Sequence, residues 1–168
     1  MTNMKTVNLK ELYELQAGLD AEIAKQHPGV NYESTHEKRL LALTVELGEL
    51  ANETRCFKFW SLKGPSPKEV VMDEFADGLH FLLSLGIPLS AKKFEYEITK
   101  PNNDAVEQFH KVYKASLNLK DNYNLEAYED AMQKFLNLTT LIGMEPEDIV
   151  ASYKLKLAVN YKRQENKY

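Results

Sequence analysis

The sequence predicts an all-α protein, a bundle of about six helices, and two features of its pattern support this. Apolar residues recur at intervals of three and four along most of the chain, which is the period of an amphipathic helix. No segment alternates convincingly between apolar and polar residues, as a half-buried strand would. The 168 residues suffice for a sizeable core, so we expect residues 1–168 to form a single domain.

Start and stop signals divide the chain into the predicted helices. The first helix spans about Leu9 to Ile23 and stops near the break at Pro28. Ser34 and Glu37 have the spacing of a capping box, so a long second helix should run from there to about 59. The third helix should start with Ser66 as N-cap, Pro67 in the first turn and Glu69 closing the box, and should end near Gly86. The later helices should cover about 104–119 and 124–142, with Gly143 as a C-cap and a last helix from Pro146 to near the C-terminus.

The second predicted helix carries a stripe of glutamates opposite its apolar face. Glu46, Glu49 and Glu53 share one narrow face. Such like-charge pairs destabilise a helix by roughly 0.2–0.5 kcal/mol each, and a cation bound between them would remove that penalty. This face has no interleaved lysine at the four-residue spacing. The residues that should be buried on the opposite face are Leu43, Leu47, Leu50 and Ala51.

The third predicted helix repeats the acidic pattern. Glu74 and Asp77, which follow Asp73, share one face through their three-residue spacing. A short connection favours an antiparallel helix pair, so Glu46, Glu49, Glu74 and Asp77 could meet, and four carboxylates suit Mg²⁺ or Mn²⁺. A solvated acidic surface is the alternative. The predicted core face carries Val71, Phe75, Leu79 and Leu82.

Aromatic and basic residues accompany the acidic stripes. Phe81, and Trp60 if its helix extends that far, should lie beside the carboxylates, as a base-stacking platform or as ordinary core residues. In the last helix Lys156, Asn160 and Arg163 share a face that could bind phosphates, or could simply face solvent.

Composition and charge narrow the class of protein. The formal net charge of −4 gives no strong bulk attraction to nucleic acid or to an anionic membrane. No apolar run approaches the ~18 residues that span a bilayer. The single cysteine, Cys56, cannot form an internal disulfide, which fits a cytoplasmic protein, and we interpret it as a packing residue.

Four motifs, in this order, resemble those of the dimeric all-α dUTPase family, within the MazG-like superfamily of nucleoside triphosphate pyrophosphatases. The two acidic pairs alone are typical of the superfamily, whereas "DGLHFLLSLG" and the C-terminal Y-x-x-K-x-x-x-N-x-x-R-Q pattern are more specific. Residues 88–145 match no motif of the family. The motifs are "LYELQAGLD" (12–20), "VELGELANETRCFKFWS" (45–61), "DEFADGLHFLLSLG" (73–86) and "YKLKLAVNYKRQENKY" (153–168).

The resemblance implies a Mg²⁺-dependent dUTP pyrophosphatase, releasing dUMP and pyrophosphate, that works as a homodimer with its sites near the subunit interface. It implies that Glu46, Glu49, Glu74 and Asp77 bind the metal and that Glu49, with Glu46, serves catalysis. The implied deoxyuridine pocket comprises Gln16, Trp60, His80 and Phe81, and the implied phosphate ligands are Lys156, Asn160 and Arg163, assisted by Lys58.

Two positions depart from the family pattern. Asp20 stands where some relatives have asparagine, and Lys167 replaces a glycine that often precedes the last tyrosine. Two other functions stay open at this point. One is hydrolysis of another or a broader set of nucleotides, such as dCTP. The other is a non-catalytic helical protein that binds a regulator, for which residues 88–145 would be a candidate surface.

Overall fold

A computed structural model describes residues 3–168 as six α-helices and one small two-stranded sheet, which confirms the all-α class. The elements are β1 (Lys5–Asn8), α1 (Lys10–Gln26), α2 (Tyr32–Thr54), α3 (Lys68–Gly86), β2 (Glu95–Ile98), α4 (Ala105–Asn118), α5 (Leu125–Leu138) and α6 (Pro146–Glu165), with a 3₁₀ turn at Thr139–Leu141.

Helices α2 and α3 pack against each other as an antiparallel pair. Near the start of α2, the Arg39 guanidinium donates to the Ser84 carbonyl near the end of α3, at 2.9 Å. Near the other end of the pair, the Ser66 amide donates to the Glu53 carbonyl at 2.9 Å. Pairing of the start of one helix with the end of the other brings the two acidic stripes to the same level of the bundle.

The predicted apolar faces of α2 and α3 form part of one buried core. All four predicted core residues of α3 are buried, as are the three leucines predicted for α2, and Ala51 is half-buried against them. Phe75 of α3 stacks on Phe135 of α5 with ring centroids 4.3 Å apart. Gly86 lets the Tyr128 ring lie directly against the end of α3, where a Cβ atom would overlap it.

The sheet is the element that the sequence analysis did not predict. Lys5 pairs with Ile98 and Asn8 with Glu95 in an antiparallel ladder. Each strand has only four residues, so two periods of alternation, such as buried Tyr96 and Ile98 in β2, are all the pattern that its sequence can show.

The predicted caps of α2 and α3 are wrong. Asn31, not Ser34, is the N-cap of α2: its side chain accepts the Ser34 amide at 2.8 Å, and the Ser34 hydroxyl accepts the Asn31 amide at 3.0 Å. Helix α3 begins at Lys68 with no side-chain cap, because the hydroxyl of Ser66 donates to the Glu53 carboxylate. Pro67 therefore precedes the helix, and Glu69 closes no box.

Two predicted helix ends are also wrong, while the last start is confirmed. Helix α2 ends at Thr54 and not near 59, because Arg55 takes a left-handed conformation with φ of 59°. Helix α5 ends at Leu138 and passes into the 3₁₀ turn, after which Gly143 has φ of 78°. Pro146 occupies the first turn of α6 as predicted. Within residues 3–168, no helix is both long enough and apolar enough to cross a bilayer.

Candidate active site

Three carboxylates from α2 and α3 form a compact acidic cluster. Glu46, Glu74 and Asp77 each place one ligand atom within 4.8 Å of the others. Glu49, one turn after Glu46, lies beside both glutamates and adds to the repulsion on them. The antiparallel pairing of α2 and α3 thus brings the four predicted carboxylates to one place.

The electrostatics of the acidic cluster show how poorly its charges are compensated. Burial, followed by repulsion from Asp77 and Glu49, raises the pKa of Glu46 to about 8. Burial and the same kind of repulsion raise the pKa of Glu74 to about 7. Burial also raises the pKa of Asp77, against the opposing effect of Lys156.

The acidic cluster has the donor set that a hard divalent cation requires. Among the described residues, the Oε2 atoms of Glu46 and Glu74 are buried and have no hydrogen-bond partner. A buried carboxylate oxygen without a donor costs free energy, and a cation would supply the missing partner. Oxygen ligands of this kind suit Mg²⁺ or Mn²⁺, and the residues present fit such an ion.

Lys156 of α6 closes one side of the acidic cluster. It is only 5% exposed, and its Nζ atom donates to Asp73 at 2.9 Å and to Asp77 at 3.0 Å. Its charge is therefore already shared between two carboxylates. The predicted phosphate ligand thus lies beside the metal candidates, and its ammonium group is not free of partners.

A cavity of about 740 Å³ adjoins the acidic cluster. This volume lies within the range of small-molecule sites. Seven of the predicted site residues line it: Gln16, Glu46, Asp77, His80, Phe81, Asn160 and Arg163.

A hydrogen-bonded network lies in the wall of the cavity around the buried amide of Gln16. Its Nε2 atom donates to Asp20 at 2.9 Å, and its Oε1 atom accepts from the Tyr153 hydroxyl at 3.0 Å. The same Oε1 atom lies 2.6 Å from Nδ1 of His80. The amide of Gln16 is therefore held from both ends.

His80 is buried and packs flat against Tyr153, with ring centroids 4.2 Å apart. Burial, together with the smaller effect of the nearby charge of Lys156, lowers the pKa of His80 to about 4. The imidazole is therefore neutral at physiological pH, which excludes it as a cationic phosphate ligand in this arrangement.

Two predicted site residues, Lys58 and Trp60, lie away from the cavity. Both belong to the connection between α2 and α3, which leaves the helix at Arg55. Trp60 is 65% exposed, and its ring packs edge-on against that of Phe59 with ring centroids 5.0 Å apart. Cys56 is half-buried against the core, as expected of a packing residue. The structure therefore does not bring Lys58 and Trp60 together with the other candidates.

Glu53, the third acid of the α2 stripe, takes no part in the acidic cluster. Its carboxylate accepts the Ser66 hydroxyl and its carbonyl accepts the Ser66 amide. Glu53 therefore fastens the end of the connection to α2. Its shared face with Glu46 and Glu49 does not imply a shared role.

The sequence analysis did not predict that Arg39 joins the network around Gln16 and Asp20. The Arg39 guanidinium stands 4.8 Å over the ring of Tyr32 and donates to the Ser84 hydroxyl at 3.2 Å. Arg39 and Tyr32 are seven residues apart, a spacing that puts both on one helix face, and this was the available signal.

The C-terminal tail accommodates its departure from the family pattern. Lys167 has φ of 54°, the left-handed conformation that a glycine adopts without penalty. This turn lets the Tyr168 amide donate to the Arg163 carbonyl at 3.0 Å and sets the Tyr168 ring 5.2 Å from the Arg163 guanidinium. Both residues then line the cavity.

The comparison with known proteins identifies the family of the chain. A family model described as dUTPase matches residues 8–168, nearly the whole chain. No curated protein matches the sequence.

Proposed function

The chain belongs to the all-α dUTPase family and is a dUTP diphosphatase, and from that premise we propose that it hydrolyses dUTP to dUMP and pyrophosphate in a Mg²⁺-dependent reaction. The observation that carries the metal dependence is the uncompensated acidic cluster beside the cavity. Two of its carboxylates have buried oxygens without a donor and a strongly raised pKa, as expected of a site built for a cation.

The proposed metal ligands are Glu46, Glu49, Glu74 and Asp77. When bound, Mg²⁺ supplies positive charge beside the triphosphate and makes water more acidic. Without such charge the acidic cluster would repel a substrate that carries about four negative charges. Glu49 is the most exposed of the four and faces Glu46 and Glu74, which suits the proposed role of orienting the attacking water and accepting its proton.

The proposed nucleotide contacts follow the cavity wall. Gln16, His80 and Phe81 would bind the deoxyuridine, with the Phe81 ring close to the sugar and its bulk opposed to a 2′-hydroxyl. Asn160 and Arg163 would hold the phosphates, and Lys156 would contribute its charge from the far side of Asp77. The support for these roles is that five of the six residues line one cavity and the sixth adjoins it.

We also propose that the protein is a homodimer. Support comes from the connection between α2 and α3, where Phe59 is 93% and Trp60 65% exposed, alongside exposed Leu62. Large apolar side chains exposed together mark an interaction surface. Lys58 and Trp60 lie outside the cavity of their own chain. If this surface packs against a second copy, the two residues would contribute to the site of that second copy. Light scattering on the purified protein tests the dimer directly.

The first test of function is the release of pyrophosphate from each deoxynucleoside triphosphate, with Mg²⁺ and with EDTA. We expect release from dUTP with Mg²⁺ only. Equal release from several nucleotides would refute the uracil preference, and release that persists in EDTA would refute the metal dependence.

A second test uses a pair of matched variants on α2. Glu49→Gln should abolish turnover while leaving the unfolding transition intact, because it removes the proposed proton acceptor and one metal ligand. Glu37→Gln makes the same change at an exposed position of the same helix and should turn over dUTP normally. A rate within about threefold of wild type for Glu49→Gln would contradict the assignment.

A further inference from the structure

We propose that Asp20 is a positioning residue that fixes the orientation of the Gln16 amide, so that Gln16 presents only an N–H donor to the cavity. If the proposed function holds, Asp20 determines through Gln16 that the site accepts the carbonyl of uracil and rejects the amino group of cytosine.

The Asp20 carboxylate acts only as an acceptor. The Gln16 amide donates to its Oδ1 atom at 2.9 Å, and the hydroxyls of Ser84 and Tyr32 donate to its Oδ2 atom at 2.8 Å and 3.1 Å. Burial raises the pKa of Asp20, while these three donors and the positive charge of Arg39 oppose that rise. The three donors and the Arg39 guanidinium favour the ionised form of the carboxyl group, which has no proton to give, so the group that faces Oδ1 is the NH₂ of the glutamine.

The other partners of Gln16 do not determine the orientation of its amide. The Tyr153 hydroxyl, 3.0 Å from Oε1, can donate or accept. His80 Nδ1, 2.6 Å from Oε1, is a donor in one neutral tautomer and an acceptor in the other. Both would tolerate a flipped amide, so only the fixed polarity of Asp20 excludes the flip. The resulting orientation requires that Nδ1 of His80 carry the proton.

The fixed amide has one polar group left for a ligand. Oε1 already faces two partners, and one of the two N–H groups is donated to Asp20, so a single N–H remains. We infer that this N–H meets the 4-position of the pyrimidine. Uracil has a carbonyl there and accepts the hydrogen bond, whereas cytosine has an amino group, and two donors would face each other. A site built this way rejects cytosine by leaving buried polar groups unpaired.

The test is Asp20→Asn, a nearly isosteric change that supplies an amide able to accept or donate and so permits the flip. We expect the ratio of kcat/KM for dUTP to that for dCTP to fall at least about tenfold. The ratio of dUMP to dCMP affinity, measured calorimetrically without metal, should fall in the same way. Asp130→Asn, the same change on the surface of α5, should leave both ratios unaltered. A folded Asp20→Asn protein with both ratios within about twofold of wild type would overturn the proposal.

A measurement on the wild-type protein keeps the test independent of the variant's folding. The ¹⁵N chemical shifts of the His80 ring at pH 7 report which nitrogen carries the proton. We expect the proton on Nδ1, and a proton on Nε2 alone would overturn the fixed orientation of Gln16. The outcomes remain distinguishable from a failure of the proposed function, because a wild-type enzyme without preference for dUTP would refute that function whatever the state of His80.

Discussion

Replacement of Glu46 by glutamine should stabilise the metal-free protein at pH 8. Glu46 stands in the acidic cluster with Glu74 and Asp77, and its Oε2 atom is buried without a hydrogen-bond partner. Ionisation of Glu46 in the folded state therefore brings a third negative charge into a partly buried site. Glutamine keeps the shape of the side chain and removes that charge.

The sign and size of the effect follow from the pKa of Glu46, which rises from 4.5 to about 8 on folding. Between these values the folded protein binds more protons than the unfolded chain, so the free energy of unfolding falls as pH rises from about 5 to 8. At about 1.4 kcal/mol per pKa unit the upper bound is about 5 kcal/mol. Partial exposure and the repulsion shared with Glu74 reduce the expected gain in Glu46→Gln to about 1–2 kcal/mol.

The assay is urea unfolding in EDTA at pH 5 and pH 8, for the wild type, Glu46→Gln and the exposed control Glu37→Gln. The wild type and the control should lose stability between the two pH values, and Glu46→Gln should lose less. Addition of Mg²⁺ at pH 8 should stabilise the wild type and the control more than Glu46→Gln. The reasoning is refuted if Glu46→Gln unfolds at lower urea than the wild type at pH 8, because the cluster would then hold Glu46 favourably without a cation.

Three further changes test the packing around the site by urea unfolding. Gly86→Ala should cost about 2–3 kcal/mol because the new methyl group overlaps the buried ring of Tyr128, and a cost below about 1 kcal/mol would mean that the ring can move aside. Lys156→Met in EDTA should cost about 2 kcal/mol, less than a fully buried pair, because Asp77 loses its cation but keeps some contact with water; unchanged stability would contradict the ion pair. Asn31→Ala should lower the free energy of unfolding by about 1 kcal/mol because α2 loses its N-cap. An unchanged free energy of unfolding would mean that Asn31 is not the stabilising cap of α2.

Helical periodicity was a sufficient guide where it extended over several turns. In α3 the apolar positions from Val71 to Leu82 are buried as predicted, because a regular helix carries the same face over its whole length. Helix ends were less predictable, because overlapping signals compete. Asn31 and Ser34 can each begin a capping box, and the sequence does not decide between them. At the other end of α2, an arginine at position 55 takes the conformation that usually identifies a glycine.

The acidic cluster could be predicted because its geometry is local. Residues three apart on a helix are neighbours, and the antiparallel pairing of α2 and α3 places a second such pair opposite the first, although the connection between them, residues 55–67, is longer than predicted. The network around Gln16 could not be predicted, since its partner His80 is 64 positions away and Tyr153 is 137 positions away. Contacts of that separation depend on how α1, α3 and α6 pack, and no spacing in the sequence records it.

The two halves of the candidate site differ in how they hold their polar groups, and the difference has a physical consequence. Asp20, Tyr153 and His80 hold the amide of Gln16 and leave only one N–H for a ligand, so the wall that would bind the base is rigid before a ligand arrives and loses little entropy on binding. The Oε2 atoms of Glu46 and Glu74 lack partners, so the ionised cluster stores repulsion that a cation or a proton relieves. A nucleotide without its metal would therefore meet a complementary base pocket next to a repulsive phosphate site. Recognition of the base and attraction of the triphosphate are thus separable, and the metal-free affinity for dUMP relative to dCMP should survive Glu46→Gln even when all turnover is lost.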